Sequence, residues 1–197
     1  MILRSMRTRL SLLAAVLTGV LSLSLGLVSP AQASEPASDP HAAAFEVDFL
    51  TGMIDHHEMA VMMAQPCLDK AVHEELASMC QSIITSQSAQ IEMMQGWLQD
   101  WYGTSHEPTM TKGQMRSMAR LDRLTGAAYE IAFMRSMIRH HWGAVREASR
   151  CLARAEHPEL LALCGRIERA QLVEIATMQR WLAQWYDAAG GRPARTA

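Results

Sequence analysis

The sequence has little that would make it an enzyme. It holds no nucleophile elbow, no phosphate-binding loop and no dinucleotide fingerprint. His57-Glu58 begins like a zinc-protease H-E-x-x-H, but Val61 stands where the second histidine belongs. A di-iron carboxylate bundle needs inward Glu-x-x-His pairs, and these are missing too. Glu46 and Glu130 lie about three helical turns from the histidine pairs, too far to share a site with them. No window shows sustained strand alternation, so the class expected is all-α. There is no excess of basic charge either: 18 Lys and Arg against 20 Asp and Glu give a net −2. That balance argues against nucleic acid and anionic lipid as partners. No Cys-x-x-Cys is present, which removes a thioredoxin-type redox site. The chain reads as a non-enzyme.

What is present begins with an export signal. "MILRSMRTRL" carries Arg4, Arg7 and Arg9, an uncharged run extends from Leu10 to Val28, and Ala31-Gln32-Ala33 is a small-x-small cleavage site. These three regions predict a signal peptide over 1–33, the alternative being an uncleaved membrane anchor. Cleavage removes three arginines and leaves a mildly acidic mature chain of net charge −5. No other uncharged run approaches spanning length, so no membrane insertion is expected after cleavage, and the product belongs to the periplasm or the exterior. Cys67, Cys80, Cys151 and Cys164 all lie in the exported part. An even count there favours disulfides, and the equal spacing of 13 predicts Cys67–Cys80 and Cys151–Cys164.

The chain is also duplicated. Shifting it by 84 residues lays 44–102 on 128–186 without a gap, and 26 of 59 positions are identical. Phe49/Phe133, Met53/Met137, His56/His140, His57/His141, His73/His157, Gln87/Gln171, Met94/Met178 and Trp97/Trp181 all superpose. Within each copy, apolar residues recur at three- and four-residue steps on either side of a turn near Pro66 or Pro158. Each copy is therefore a helical hairpin, and the two should pack as a four-helix bundle. Residues 34–43 are expected to be a flexible segment, 103–127 a connector with a short helix over 112–124, and 188–197 a disordered tail. The paired tryptophans Trp97, Trp101, Trp181 and Trp185 are expected to cap the bundle floor. His73 and His157 read as helix caps or exposed turn residues, and His41 and His106 as surface residues.

"GMIDHHEM" and "SMIRHHWG" carry the chemistry. Adjacent helical residues diverge by about 100°, so one histidine of each pair should face its own hairpin and the other the bundle interface or solvent. Antiparallel pairing brings Met53 and one histidine level with Gln87, and Met137 with His140 or His141 level with Gln171. Thioether and imidazole are neutral, soft donors that suit copper, Cu(I) above all. Thirteen methionines remain beyond Met1 and Met6, and Met59, Met62, Met63, Met93 and Met94 crowd the first pair. The expected ligands are Met53, His56 and His57, with Met59, Met62, Met63 and Met94 as additional donors and Gln87 as the residue that orients them. Met137, His140, His141 and Gln171 form the second set, with fewer methionines around it. The alternative is a structural or interaction bundle of the envelope whose histidines and glutamines form a polar core layer.

"FLTGMIDHHEMAVMMA" with "SIITSQSAQIEMMQGWL", and their second-copy counterparts, resemble the secreted ferritin-like domains grouped as domain of unknown function family 305. The connector "TMTKGQMRSMARLDRLTGAAYEIAFM" resembles that family's linking segment. The resemblance spans nearly all of the exported chain. It implies a ferritin-like bundle and, as in some relatives, copper binding in the periplasm for buffering, resistance or delivery, with a copper-exporting or copper-accepting envelope protein as partner. Family methionines and histidines fall on Met53, His56, His57, Met137, His140 and His141. Arg139, Trp142 and Gly143 around the second pair depart from the first copy.

Overall fold

A computed structural model describes residues 35–186; the expected signal segment and the tail 188–197 lie outside them. Every element of the described residues is a helix: α1 Pro40–Ala64, α2 Cys67–Lys70, α3 Glu74–Tyr102, α4 Lys112–Asp122, α5 Gly126–Arg154 and α6 Pro158–Trp185. The all-α class is thus observed. None of these helices is long and apolar enough to cross a membrane.

Local chemistry sets most of the boundaries. Asp39 caps α1 by accepting from the His41 N–H at 2.9 Å, and Pro40 sits at the first turn, where its missing N–H costs nothing. Residues 40–43, expected to be flexible, are therefore helical. Pro66 interrupts the first hairpin and splits off α2; its counterpart Arg150 lets α5 run unbroken to Arg154. Gly103 ends α3 in the left-handed region at φ 61°, which only glycine adopts freely. Thr111 and Gln114 form a reciprocal capping box that starts α4, the helix expected in the connector.

α1 packs on α3, α5 packs on α6, and the hairpins meet through α1 against α5. They run in opposite senses. One apolar cluster joins Phe49, Leu50, Met94, Leu98 and Trp101 to Cys151, Leu160 and Leu163 at the turn of the second hairpin. The other joins Cys67, Leu76 and Cys80 at the first hairpin's turn to Tyr129, Phe133 and Tyr186. Both disulfides, Cys67–Cys80 and Cys151–Cys164, form as the spacing predicts, each with Cα atoms 6.2 Å apart. Each bridges the base of its own turn.

The hairpins are clamped by two carboxylates remote from the histidine pairs. Glu46, fully buried in α1, accepts from the backbone N–H groups of Glu156 (2.7 Å) and His157 (3.0 Å), from the Tyr102 hydroxyl (2.7 Å) and from the His157 ring. Glu130 in α5 does the same for the other turn. It accepts from Val72 N–H (2.7 Å), His73 N–H (2.9 Å), His73 Nδ1 (2.7 Å) and the Tyr186 hydroxyl. His73 and His157 occupy the cap positions, but neither side chain caps its helix. Their rings instead stack 3.8 Å from Trp185 and Trp101. The tryptophans therefore do not share one floor. Trp97 and Trp101 serve one end of the bundle, Trp181 and Trp185 the other.

Burial alone would raise the Glu46 carboxyl, but the hydrogen bonds from Tyr102, His157 and Glu156 outweigh it and hold it below the usual glutamate value. A depressed carboxyl contributes stability that is complete above its unfolded value of about 4.5 and is lost as pH falls through the folded value. Glu46→Gln should cost about 2 kcal/mol or more at pH 7, because a neutral amide cannot accept all four donors. It should also flatten the melting temperature below pH 4.5, where the wild type declines, in a thermal series followed by circular dichroism.

Candidate metal centre

Between the two apolar clusters lies a polar layer made by the repeated histidines. His57 and His141 are fully buried and face their own hairpin partners. His57 Nε2–H donates to Gln90 Oε1 at 2.7 Å, and His141 Nε2–H donates to the Glu174 carboxylate at 2.6 Å. His56 and His140 face each other across the α1–α5 contact, with ring centroids 3.7 Å apart. One histidine of each pair thus looks into its hairpin and the other across the bundle, as the 100° divergence requires. The orienting partner is not Gln87 or Gln171 but the residue three positions on. Gln90 and Glu174 lie one helical turn beyond those glutamines on the same face.

The asymmetry noted around the second pair has a steric reason. A side chain built at Gly143 would place its Cβ 2.9 Å from His56 Nε2. Gly143 therefore opens the surface of α5, and His56 Nε2–H reaches the His140 carbonyl at 3.1 Å. The equivalent position facing His140 is Met59; the His56 backbone lies near that ring but makes no hydrogen bond of good geometry with it. Neither His140 nitrogen has a hydrogen-bond partner, although both are sealed from solvent.

The same is true of Nδ1 in His56, His57 and His141, and of Oε1 in Gln87 and Gln171. Buried polar atoms are normally paired, so seven orphans in one layer call for an account. In the neutral rings of His56 and His57 the Nε2 proton is committed to an oxygen, which leaves Nδ1 as a bare lone pair. That is how proteins prepare a metal-binding imidazole: the outer nitrogen donates and fixes the tautomer. Burial, and then the neighbouring His141 and Arg146, pushes His56 down to about 4. Burial, with charge from His56 and His141, pushes His57 down to about 3, and burial lowers His140 as well. These three rings are neutral at pH 7.

The methionines divide. Met53, Met94 and Met137 are buried, Met53 and Met94 in the first apolar cluster and Met137 in the second. Met53 and Met137 stand one turn before His57 and His141 on the same helix faces. Met62 is 40% exposed. Met59 and Met63 line a cleft of about 250 Å³ with the second copy's His140. Among the described residues no three His, Cys, Asp or Glu converge as ligands, so a site here has to use thioethers or amides. Asp55, inside the first motif, serves the connector. It accepts from His106 Nε2 and Thr109 N–H, both at 2.7 Å, so His106 is a tether.

The profile described as "Domain of unknown function (DUF305)" matches residues 46–182. CopM in its Cu(I)-bound form is 32% identical, with a TM-score of 0.65 over 72% of this chain and 97% of that one. CopM has also been solved in Cu(II)-bound, Ag-bound and apo forms. A DUF305 fragment from Deinococcus radiodurans is 31% identical, with a TM-score of 0.64 over 73% of this chain and 99% of that fragment. A DUF305 protein from Streptomyces coelicolor, described as secreted, is 29% identical, with a TM-score of 0.61 over 75% and 93%. No curated protein matches.

Gly143→Ala tests the packing of the layer. In an exposed helix this change stabilises by up to about 1 kcal/mol. Here it should destabilise by about 1 kcal/mol instead, because His56 must leave the His140 carbonyl. A lower urea midpoint with an unchanged slope is the expected result.

Proposed function

The chain belongs to the DUF305 family, and from that premise we propose that it is a copper-binding protein of the periplasm or exterior, holding Cu(I) with neutral soft donors. The observation that carries this reading is the row of buried imidazole nitrogens with no partner, three of them on rings already fixed through Nε2. Met53, His57 Nδ1 and Gln87 Oε1 offer a thioether, an imidazole and an amide inside the first hairpin. Met137, His141 and Gln171 offer the same inside the second, with the Glu174 carboxylate orienting the His141 ring. His56 and His140 lie between them. Neutral donors suit a monovalent ion, because bringing it in leaves little uncompensated charge in an apolar interior.

The likeness to CopM supports the metal, and the two disulfides support an oxidising compartment. The arrangement is a ferritin-like four-helix bundle, used for buffering, resistance or delivery rather than for catalysis. A copper-exporting or copper-accepting protein of the envelope is the partner such a role requires.

A second reading is favoured by the His57–Gln90 and His141–Glu174 hydrogen bonds: a polar layer that merely sets the register of the hairpins. The two readings part on metal. Under the copper reading the purified protein competes with a colorimetric Cu(I) chelator, and Cu(I) raises its melting temperature by linkage. A His56→Ala/His57→Ala double variant should lose at least tenfold in affinity. Equal affinity of wild type and variant, with no copper-dependent rise in melting temperature, would sink the copper reading and leave the structural one.

A further inference from the structure

We infer that the cleft between α1, α4 and α5 is a distinct Cu(I) site, formed by the thioethers of Met59, Met63 and Met118 and a ring nitrogen of His140. The inference rests on the copper reading above and assigns it a place that neither sequence repeat contains alone. Met59 and Met63 come from the first copy, Met118 from the connector helix and His140 from the second copy; all four line the same cleft of about 250 Å³.

The broken symmetry of the layer points here. His56 and His140 occupy equivalent positions, yet His56 Nε2 reaches an acceptor over Gly143 and leaves only Nδ1 unpaired, while both ring nitrogens of His140 are buried without a partner. The fold therefore does not require both nitrogens of this ring to be orphaned. What differs is the residue opposite. Met59 stands in place of the glycine, and a thioether gives a ring nitrogen nothing to hydrogen-bond to in earnest, though it shares a soft metal with it readily.

Access separates the thioethers of this cleft from the interior donors, while the His140 nitrogens are themselves sealed from solvent. His57 and His141 are fully buried, so an ion reaching them must part the bundle. The cleft is bounded on one side by α4, which has no buried residue of its own, so Met118 can adjust around an ion. An ion that is to be passed on needs such a position. Charge also selects. Arg139 lines the cleft, where its guanidinium donates to Ser136 Oγ at 3.1 Å. Its repulsion of a divalent ion is twice that of a monovalent one, and no carboxylate lines the cleft to offset it. The site is built for Cu(I) or Ag(I) over Zn(II) or Cu(II).

The test uses the full chain labelled with ¹³C at the methionine methyls and titrated with Ag(I), a closed-shell stand-in for Cu(I). Ag(I) should move the methyl signals of Met59, Met63 and Met118 together, along a titration curve separate from that of Met53 and Met137. A Met59→Leu/Met118→Leu variant, which keeps the packing volume, should take up one equivalent of Cu(I) fewer than the wild type against a chromophoric chelator with ascorbate as reductant. His140→Gln should lose the same equivalent. Shifts confined to Met53 and Met137 throughout the titration, or wild-type copper stoichiometry in the leucine variant, would overturn the cleft and leave copper binding standing. Failure of the wild type to take up Cu(I) at all would overturn both.

Discussion

Each hairpin's turn leaves backbone N–H groups that nothing within that hairpin accepts, and a buried glutamate from the other hairpin takes them. Glu46 holds the turn at 156–157 and Glu130 the turn at 72–73, each with a tyrosine hydroxyl and a histidine ring completing its set. A buried carboxylate is costly unless every lone pair is used, so the arrangement tolerates little displacement. The consequence is geometric. With each turn fixed to the other hairpin's first helix, the hairpins must lie in opposite senses. The midpoints of α1 and α5 then meet, and that meeting puts His56 against His140.

The histidine layer interrupts what would otherwise be one apolar core. Two clusters of Leu, Ile, Met and disulfide cysteines flank it and supply the burial that keeps the bundle folded. The layer can then carry groups that are poor for stability. Imidazoles held neutral by burial, with Nδ1 unpaired, lower the stability of a fold that does nothing with them. Proteins retain such groups where a ligand completes them, which is why the layer rather than any surface feature carries the functional reading.

Duplication supplied the parts, and divergence between the copies gave them different jobs. Glu174 stands where the first copy has Gln90 behind the buried histidine, Gly143 where it has Met59 across the interface, and Arg139, which lines a cleft, where it has Asp55, which tethers the connector. The copper-ligand set expected around the first pair divides for this reason. Met59 and Met63 are close to His56 and His57 in sequence, but their side chains lie across the interface with His140.

Much of this was legible in the chain itself. The repeat, the helical periodicity, the disulfide pairing and the divergence of adjacent histidines follow from spacing, because a helix and a short covalent loop fix geometry locally. Glu46 and Glu130 could be excluded from the histidine site by distance along one helix. Their true role could not be found that way, since their partners lie more than fifty residues away in the other hairpin. The same limit hid the cleft. Periodicity tells which face of a helix is buried but not which helix will cover it, and only the packing of α1 on α5 decides that Met59 meets His140.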